Sequence, residues 1–457
     1  MPKDRPTASG ADHRLCGKGG ALLGRSRKHS HQGSTACWSK TLVDGRCDWK
    51  RIAAAVADRR FVLFLVIAGA TAREAAAESQ PSVSQPSGHA ERSDDSRMVR
   101  VAFQQDGRRS LEVVGKVLVR AADGGILLVG RDGRLWTVLP RQLLREEPTR
   151  QPFRPLTRDE LGRQLKRDLQ RQFPDRPFQV RLTRHHVVCS NAGSNYTRWC
   201  AALFERLYEA FRTHWRTRAL RLAEPEFPLP AIILANRQQF ARFAADVGAE
   251  AGTVQGYYSI PTNRMVLCDL TGDSELTSNR ATADIARQLA RTPGNVATII
   301  HEATHQIAFN CGMHTRFADN PLWLTEGMAM YFETPDLRSR SGWRTIGQPN
   351  PFRLPRFLEF AARRRGSDSL RTLIATDDRF RSPETAEDAY AEAWALTFFL
   401  IKQRRRQYVR YLACVAAKPR LVADSPEQRV KDFQRQFGSD WQRLDRDFLE
   451  FVRRLRP

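Results

Sequence analysis

Two histidines and a glutamate stand close together in the segment NVATIIHEATHQIAFNCG, which begins at Asn295. His301 and His305 are four residues apart, so on a helix they share one face and can present both imidazoles to one metal ion. Glu302 lies between them, where its carboxylate could polarise a metal-bound water and take its proton. This spacing predicts two ligands and the general base of a hydrolytic zinc site.

The helix that must position these side chains is also indicated by the sequence. Val296 and Ile299 belong to an apolar pattern at helical spacing, Asn295 is a predicted N-cap, and Cys311-Gly312 is typical of a helix end. In the alternative interpretation the two histidines face solvent on an ordinary helix surface. The apolar, Ala-rich segment favours a buried helix instead, where histidines without a partner would be costly.

A third ligand is available in the segment PLWLTEGMAMYFE, which follows the first motif in the chain. Glu326 lies in an apolar stretch that predicts a second helix packing beneath the first. Three protein ligands leave one position for water, which is the arrangement of a catalytic zinc, whereas a structural zinc is closed by four. The sequence therefore predicts that Zn²⁺ is bound by His301, His305 and Glu326.

The segments HEATHQIAFN and LWLTEGMAMYFE resemble the gluzincin zinc metallopeptidases, in particular the aminopeptidase-like branch with its WLxEGxAxY motif. The resemblance covers residues 296–333 and extends to 178–457, and the layout is similar to an uncharacterised bacterial family of secreted peptidase-like proteins. It implies a zincin-like domain with the three zinc ligands above and Glu302 as general base. It also implies a tyrosine that donates a hydrogen bond to the developing oxyanion. Tyr390 is the candidate, although a core aromatic residue is an equally open interpretation.

The chain departs from that branch in one respect. A Gly-x-Met-Glu-Asn motif, which recognises a free amino terminus, is missing upstream of the metal helix, so an endopeptidase is favoured over an aminopeptidase. The resemblance further implies that the strand before the metal helix, residues 264–270, pairs with extended substrate. Glu333 and Asp319 are candidates for acids that orient the histidines, or else surface acids.

The order of elements predicts an α+β fold in which a mixed sheet precedes a helical half. Short Val- and Leu-rich runs separated by Asp-Gly turns predict a small β-barrel-like module for docking or packing. The expected organisation is a doubtful leader plus signal peptide (1–72), a disordered linker (73–97), the β module (98–145), a helical connector (146–177) and the zincin-like peptidase domain (178–457).

The run FVLFLVIAGATA from Phe61 to Ala72 follows Arg59-Arg60 and ends in a small-x-small pattern, which is typical of a secretory signal. It is too short to span a membrane, and a buried core element is the alternative. Residues 1–55 lack periodicity, and we expect translation to begin near Val56. An exported protein is predicted, whether periplasmic, cell-surface or secreted.

The 457 residues contain 41% hydrophobic residues and have a mean hydropathy of −0.51, which exclude a polytopic membrane protein and a wholly disordered chain. The formal net charge is +24. The basic residues are spread along the chain, so a specific nucleic-acid partner is not expected. Arg363–Arg365 and Arg404–Arg406 leave open a polyanion-binding surface, but such runs are usually solvated helix faces. His185, His186 and His214 are interpreted as structural or surface histidines.

The sequence thus predicts an exported zinc metallopeptidase that hydrolyses peptide bonds of a peptide or protein substrate. A non-catalytic zincin-fold scaffold and a basic polyanion-binding protein are the alternatives. The cleavage preference, the oligomeric state, the disulfide pairing and the role of the β module are left open.

Overall fold

The computed structural model describes residues 62–63, 97–105, 109–246, 255–271, 282–334 and 345–456. Within them the chain is mixed α+β, with a β-rich N-terminal region and a helical C-terminal half, which confirms the predicted order of elements. The predicted start of translation, most of the signal segment and the linker up to residue 96 lie outside the described residues. In the parts that the structure describes, no helix combines the length and apolarity needed to cross a membrane.

The strands form two sheets. In chain order they are β1 (Val62–Leu63), β2 (Arg97–Gln105), β3 (Arg109–Arg120), β4 (Ile126–Gly130), β5 (Leu135–Val138), β6 (Leu143–Pro152), β7 (Gln179–Leu182), β8 (His186–Ser190), β9 (Leu229–Leu234), β10 (Gly256–Ser259) and β11 (Arg264–Cys268). One sheet has the order β5-β4-β3-β2-β6, and the other has the order β1-β10-β11-β9-β8-β7.

The helices lie mainly in the second half of the chain. They are α1 (Arg158–Gln172), α2 (Ser194–Arg216), α3 (Arg237–Asp246), α4 (Thr282–Arg291), α5 (Pro293–Asn310), α6 (Leu322–Phe332), α7 (Arg353–Arg363), α8 (Ser369–Ala375), α9 (Asp378–Arg381), α10 (Ala386–Gln403), α11 (Arg405–Ala416), α12 (Pro426–Phe437) and α13 (Trp441–Arg453). A short 3-10 helix spans Pro140–Gln142.

The second sheet supports the helix that contains both histidines. Strands β8, β9 and β11 are parallel and almost fully buried, which explains their continuous apolar sequences. The prediction that strand 264–270 pairs with substrate is wrong. This segment contains β11, which is hydrogen-bonded to β10 on one side and to β9 on the other, so neither of its edges is available to a substrate. Strand β10 pairs with β11 and contacts α5. In the described part of the chain, the opposite edge of β10 is paired only with the two residues Val62–Leu63.

Helix α5 begins at Pro293, two residues before the predicted N-cap. Proline suits the first helical turn because its missing N–H would have no partner there. Asn295 is instead inside that turn, and its side-chain amide donates to the carbonyl of Leu270 at 3.2 Å. The helix ends before Cys311, and Gly312 follows with a φ of 77°, as the sequence indicated.

The five-stranded sheet packs against the turn between β10 and β11. The backbone N–H of Leu135 donates to the carbonyl of Pro261 at 2.7 Å. The buried side chain of Arg316 donates to the carbonyls of Gly133 at 2.8 Å and Ile260 at 3.3 Å. The five-stranded sheet is therefore hydrogen-bonded to the turn beside strand β10, which contacts α5.

Candidate metal centre

Helices α5 and α6 bring the three predicted ligands together. The candidate ligand atoms of His301, His305 and Glu326 all lie within 4.8 Å of one another, and the three side chains are buried. The Nε2 atom of His301 lies 3.1 Å from Oε2 of Glu326, and that of His305 lies 3.5 Å from its Oε1. The residues predicted from spacing and from the second motif therefore meet at one point.

Glu326 reaches this point because α6 lies very close to α10. A Cβ atom at Gly327 would lie 2.2 Å from Oγ1 of Thr397 and 2.6 Å from the carbonyl oxygen of Ala393. Glycine is thus required directly after the ligand for this helix contact. The first turn of α6 is held as well, since the N–H of Leu322 donates to Oδ1 of Asp377 at 3.0 Å.

The donor set fits a metal ion. The Nε2 atoms of His301 and His305 face each other at 2.9 Å, and Oε1 of Glu326 is buried without a hydrogen-bond partner. Such an arrangement leaves acceptor atoms unsatisfied unless a cation lies between them. Two imidazoles and one carboxylate are a donor set that zinc accepts in catalytic sites. This cluster could therefore bind a metal ion.

Glu333 fixes the orientation of the first histidine. Its Oε1 atom lies 2.6 Å from Nδ1 of His301, so Nδ1 carries a hydrogen and Nε2 is left to face the cluster. Burial raises the pKa of Glu333, but Arg353 and His301 outweigh it and lower the pKa to about 2. Asp319, the other candidate for this role, lies elsewhere and pairs with Arg429 at 2.7 Å.

The carboxylates also change the protonation of the ligands. Burial lowers the pKa of His301, but its bonds to Glu326 and Glu333 outweigh burial and raise it to about 10. Burial raises the pKa of Glu326, whereas His305 and His301 lower it to about 2. Burial lowers the pKa of His305. Without a metal, a proton on His301 balances the buried negative charge, and a cation would replace that proton.

Glu302 is fully buried between the ligands and strand β10. Its Oε2 atom accepts a hydrogen bond from the backbone N–H of Tyr258 at 2.7 Å, and its Oε1 atom has no partner. Burial raises the pKa of Glu302 to about 8, although the neighbouring His301 opposes this shift. In the metal-free protein such a group is protonated at neutral pH, and a cation bound beside it would lower the pKa and restore the carboxylate that a general base requires.

Tyr390 lies on α10 and faces the same carboxylates. Burial and the negative charges of Glu326 and Glu302 raise the pKa of its hydroxyl far above the usual value. Its ring packs edge-on against Phe380 at 5.2 Å, and the guanidinium of Arg353 lies 6.0 Å from its centroid. The hydroxyl is therefore protonated and can act only as a donor or a neutral acceptor.

Two further residues near the centre belong to neither of the two sequence motifs. His314 is buried, its ring packs 5.2 Å from Phe309, and both of its ring nitrogens lack partners. Burial, with a smaller effect of His305, lowers the pKa of His314 to about 3, so its imidazole is neutral. Asn350 is buried against Glu333. Both residues follow loops, so no helical or strand spacing relates them to the motifs.

The remaining histidines lie outside the centre. His185 and His186 bond to one carboxylate, that of Glu205, at 2.7 and 3.0 Å through their Nδ1 atoms. Neighbouring residues within a strand point to opposite faces, but His185 precedes β8, so both rings can reach the same carboxylate. His214 is buried against Tyr331 and has a structural role, as predicted.

One arginine of the basic runs is not solvated. The side chain of Arg365 is 4% exposed and bonds to Glu392 at 2.8 Å and to Asp445. Its neighbour Arg364 pairs with Asp388 at 3.1 Å, whereas the side chain of Arg363 is 72% exposed. The run Arg363–Arg365 therefore joins α7 to α10 and α13, and it is not a uniform cationic face.

Residues 295–421 match a family model described as a protein of unknown function, DUF1570. The matched region runs from the first turn of α5 past the end of α11, so it contains the three candidate ligands, Glu302, Glu333 and Tyr390. No curated protein matches the chain. The region around the candidate metal centre is thus similar to a family whose function is not known.

Proposed function

We propose that the protein is a zinc-dependent metallopeptidase of the gluzincin type with a zincin-like fold. The observation that supports this most strongly is the position of Glu302. Its buried carboxyl group lies beside the cluster in which two histidines converge with Glu326, and its Oε1 atom has no hydrogen-bond partner. A site that only binds metal does not require a buried acid with a free oxygen beside its ligands.

The bound metal would supply Lewis acidity, which lowers the pKa of a coordinated water toward about 7 and polarises a carbonyl group. Glu302 accepts the proton of the attacking water on its free Oε1 atom and then transfers it to the nitrogen of the leaving amine. The hydrogen bond from Tyr258 to Oε2 keeps Oε1 available for this transfer.

Tyr390 is proposed to donate a hydrogen bond to the oxygen that becomes negative during attack. Two features support this role: its hydroxyl stays protonated in the field of the carboxylates, and its ring is fixed by Phe380. A preorganised donor in a buried site stabilises the transition state without further reorganisation.

The substrate is proposed to bind as an extended strand along β10. This strand contacts Glu302 through the N–H of Tyr258. Val62–Leu63 pairs antiparallel with Tyr258 and Ser259 along its outer edge, which supports the proposal that this edge can bind an extended peptide. We propose an endopeptidase, because the sequence lacks a motif for a free amino terminus. Export is proposed from the signal-like segment alone.

The test is hydrolysis of quenched fluorescent peptides by the zinc-loaded protein and its Glu302→Gln variant. The variant should keep zinc and lose turnover by at least about 1,000-fold, because the amide cannot accept the proton. Glu359→Gln, which changes an exposed carboxylate on α7, is the matched control and should behave as wild type. Equal turnover by Glu302→Gln would refute the proposed mechanism.

A further inference from the structure

We infer that Asn350 is a positioning residue of the metal centre, because it fixes the carboxylate that orients His301. This inference rests on the metal site of the proposed function and adds a residue that none of the motifs includes. Asn350 is fully buried, and its side-chain amide bonds to Glu333 rather than to one of the three candidate ligands. Its effect is transmitted through Glu333.

With the hydrogen bond from Asn350, both oxygens of the Glu333 carboxylate have a hydrogen-bond donor. Nδ2 of Asn350 donates to Oε2 of Glu333 at 3.0 Å, while Oε1 of Glu333 accepts from Nδ1 of His301 at 2.6 Å. The two oxygens are thus held from opposite directions. Arg353 lies 3.5 Å from Oε1, at the limit of a hydrogen bond. Asn350 is therefore the short neutral contact that prevents the carboxylate from rotating.

Asn350 is itself fixed by the start of α7. Its Oδ1 atom accepts from the backbone N–H groups of Phe352 at 2.9 Å and Arg353 at 3.2 Å. Its own carbonyl accepts from the N–H of Leu354 at 3.0 Å, across the turn that leads into α7. Asn350 thus has the geometry of an N-cap, with the side-chain oxygen used for capping and the amide group free to point elsewhere.

The orientation of the side-chain amide is determined by these partners. The second hydrogen of Nδ2 is directed at the carbonyl of Met330 at 3.3 Å, so both donors meet acceptors and the oxygen meets two donors. A flipped amide would place oxygen against the carboxylate of Glu333 and hydrogens against the N–H groups of α7. The whole side chain therefore connects the end of α6 to the start of α7 in one arrangement.

The connection between α6 and α7 is closed by a second pair. Oγ1 of Thr334 donates to the carbonyl of Thr345, and Oγ1 of Thr345 donates to the carbonyl of Thr334, both at 2.6 Å. Asn350 follows this clasp closely in the chain. Because Glu333 directly precedes Thr334, the two bonds between Thr334 and Thr345 hold the segment that contains Asn350 close to Glu333.

Two functions of Asn350 can be separated by substitution. Asn350→Ser keeps an oxygen that can cap α7 but is too short to donate to Glu333. We expect the metal-free variant to melt close to wild type and to bind zinc about 10-fold more weakly, in the range found for outer partners of metal ligands. Zinc affinity is measured by competition with a chromophoric chelator, and folding by circular dichroism.

The route through Glu333 is tested by a double-mutant cycle. In a Glu333→Gln background, Asn350→Ser should cause little further loss of zinc affinity, because the carboxylate to be positioned is gone. Asp440→Ala is the matched control, since Asp440 caps α13 through a 2.9 Å bond to the N–H of Arg443. It should lower the melting temperature and leave zinc affinity unchanged.

Two results would overturn the inference: wild-type zinc affinity in Asn350→Ser, or an equal loss of affinity with and without Glu333. Asn350→Thr, which also keeps a capping oxygen and lacks the amide donor, is measured in parallel in case the serine variant does not fold. If wild-type protein binds no zinc, the proposed function fails. If wild type and Asn350→Ser bind zinc equally, only the role of Asn350 fails.

Discussion

The backbone N–H of Tyr258 donates a 2.7 Å hydrogen bond to Oε2 of Glu302, although strand and helix are far apart in sequence. The side chain of the same residue is fixed as well, because the hydroxyl of Tyr258 donates to Oδ1 of Asn263 at 2.8 Å. Asn263 in turn exchanges hydrogen bonds with Asn310 on α5. The sheet therefore orients the proposed general base, and helix α5 fixes the turn that supports this strand.

Gly256→Ala should reduce kcat while zinc stays bound. A Cβ atom there would lie 2.4 Å from a methyl of Leu267 and 3.6 Å from Cγ of Glu302, so β10 must shift and weaken the bond from Tyr258. We expect a loss of about 10- to 100-fold in kcat, as for a misplaced catalytic group. Peptide hydrolysis and zinc content are measured together. Gly294→Ala, which has open space around its Cβ, is the control; an unchanged kcat in Gly256→Ala would argue against this orientation.

Tyr390→Phe should lower kcat by about 100- to 1,000-fold with little change in KM or zinc content, because the ring still packs while the donor is lost. Steady-state kinetics of the zinc-loaded protein provide the measurement. Tyr411→Phe is a suitable control, since it removes a buried hydroxyl that has no partner and lies among Trp323 and Phe433. If both variants behave alike, Tyr390 is a core aromatic residue and not a catalytic one.

Acidification should destabilise the protein through its buried neutral histidines. Burial lowers the pKa of His214 to about 3, whereas an unfolded histidine titrates near 6.5. Between these values the unfolded chain binds more protons, so stability is present above pH 6.5 and falls by about 1.4 kcal/mol per pH unit as the pH decreases. His314, with a pKa of about 3, adds a similar slope.

His214→Phe should remove the contribution of that residue. The ring would remain among Trp215, Tyr331 and Phe332, so packing is largely retained. Urea unfolding at pH 6, 5 and 4 should show a slope shallower than wild type by up to about 1.4 kcal/mol per pH unit. Parallel pH profiles for the two proteins would show that His214 is protonated in the folded state.

The metal ligands could be predicted from sequence because their positions depend on helical spacing within one segment and on one neighbouring motif. The roles of Glu333 and Asp319 could not be separated, because both are acids near α6 and only the tertiary fold directs one to His301 and the other to Arg429. The order of strands is likewise a tertiary property. For that reason β11 was expected at an edge that β10 occupies.

The role of Asn350 illustrates a second limit. Its sequence neighbours, Pro351 and Phe352, predict a turn and a helix start but not a contact with Glu333. The bonds of a buried amide depend on which backbone groups the fold leaves without partners, and local sequence does not contain that information. Similarly, the requirement for Gly327 depends on Thr397 of another helix.

The account depends most directly on metal binding by His301, His305 and Glu326. Elemental analysis of the purified full chain, expressed with zinc supplied, should find about one zinc per molecule in wild type and none in His305→Ala. His185→Ala, which changes a histidine bonded to Glu205, should retain the metal. Wild-type protein without zinc, or His305→Ala with a full complement, would contradict the central claim.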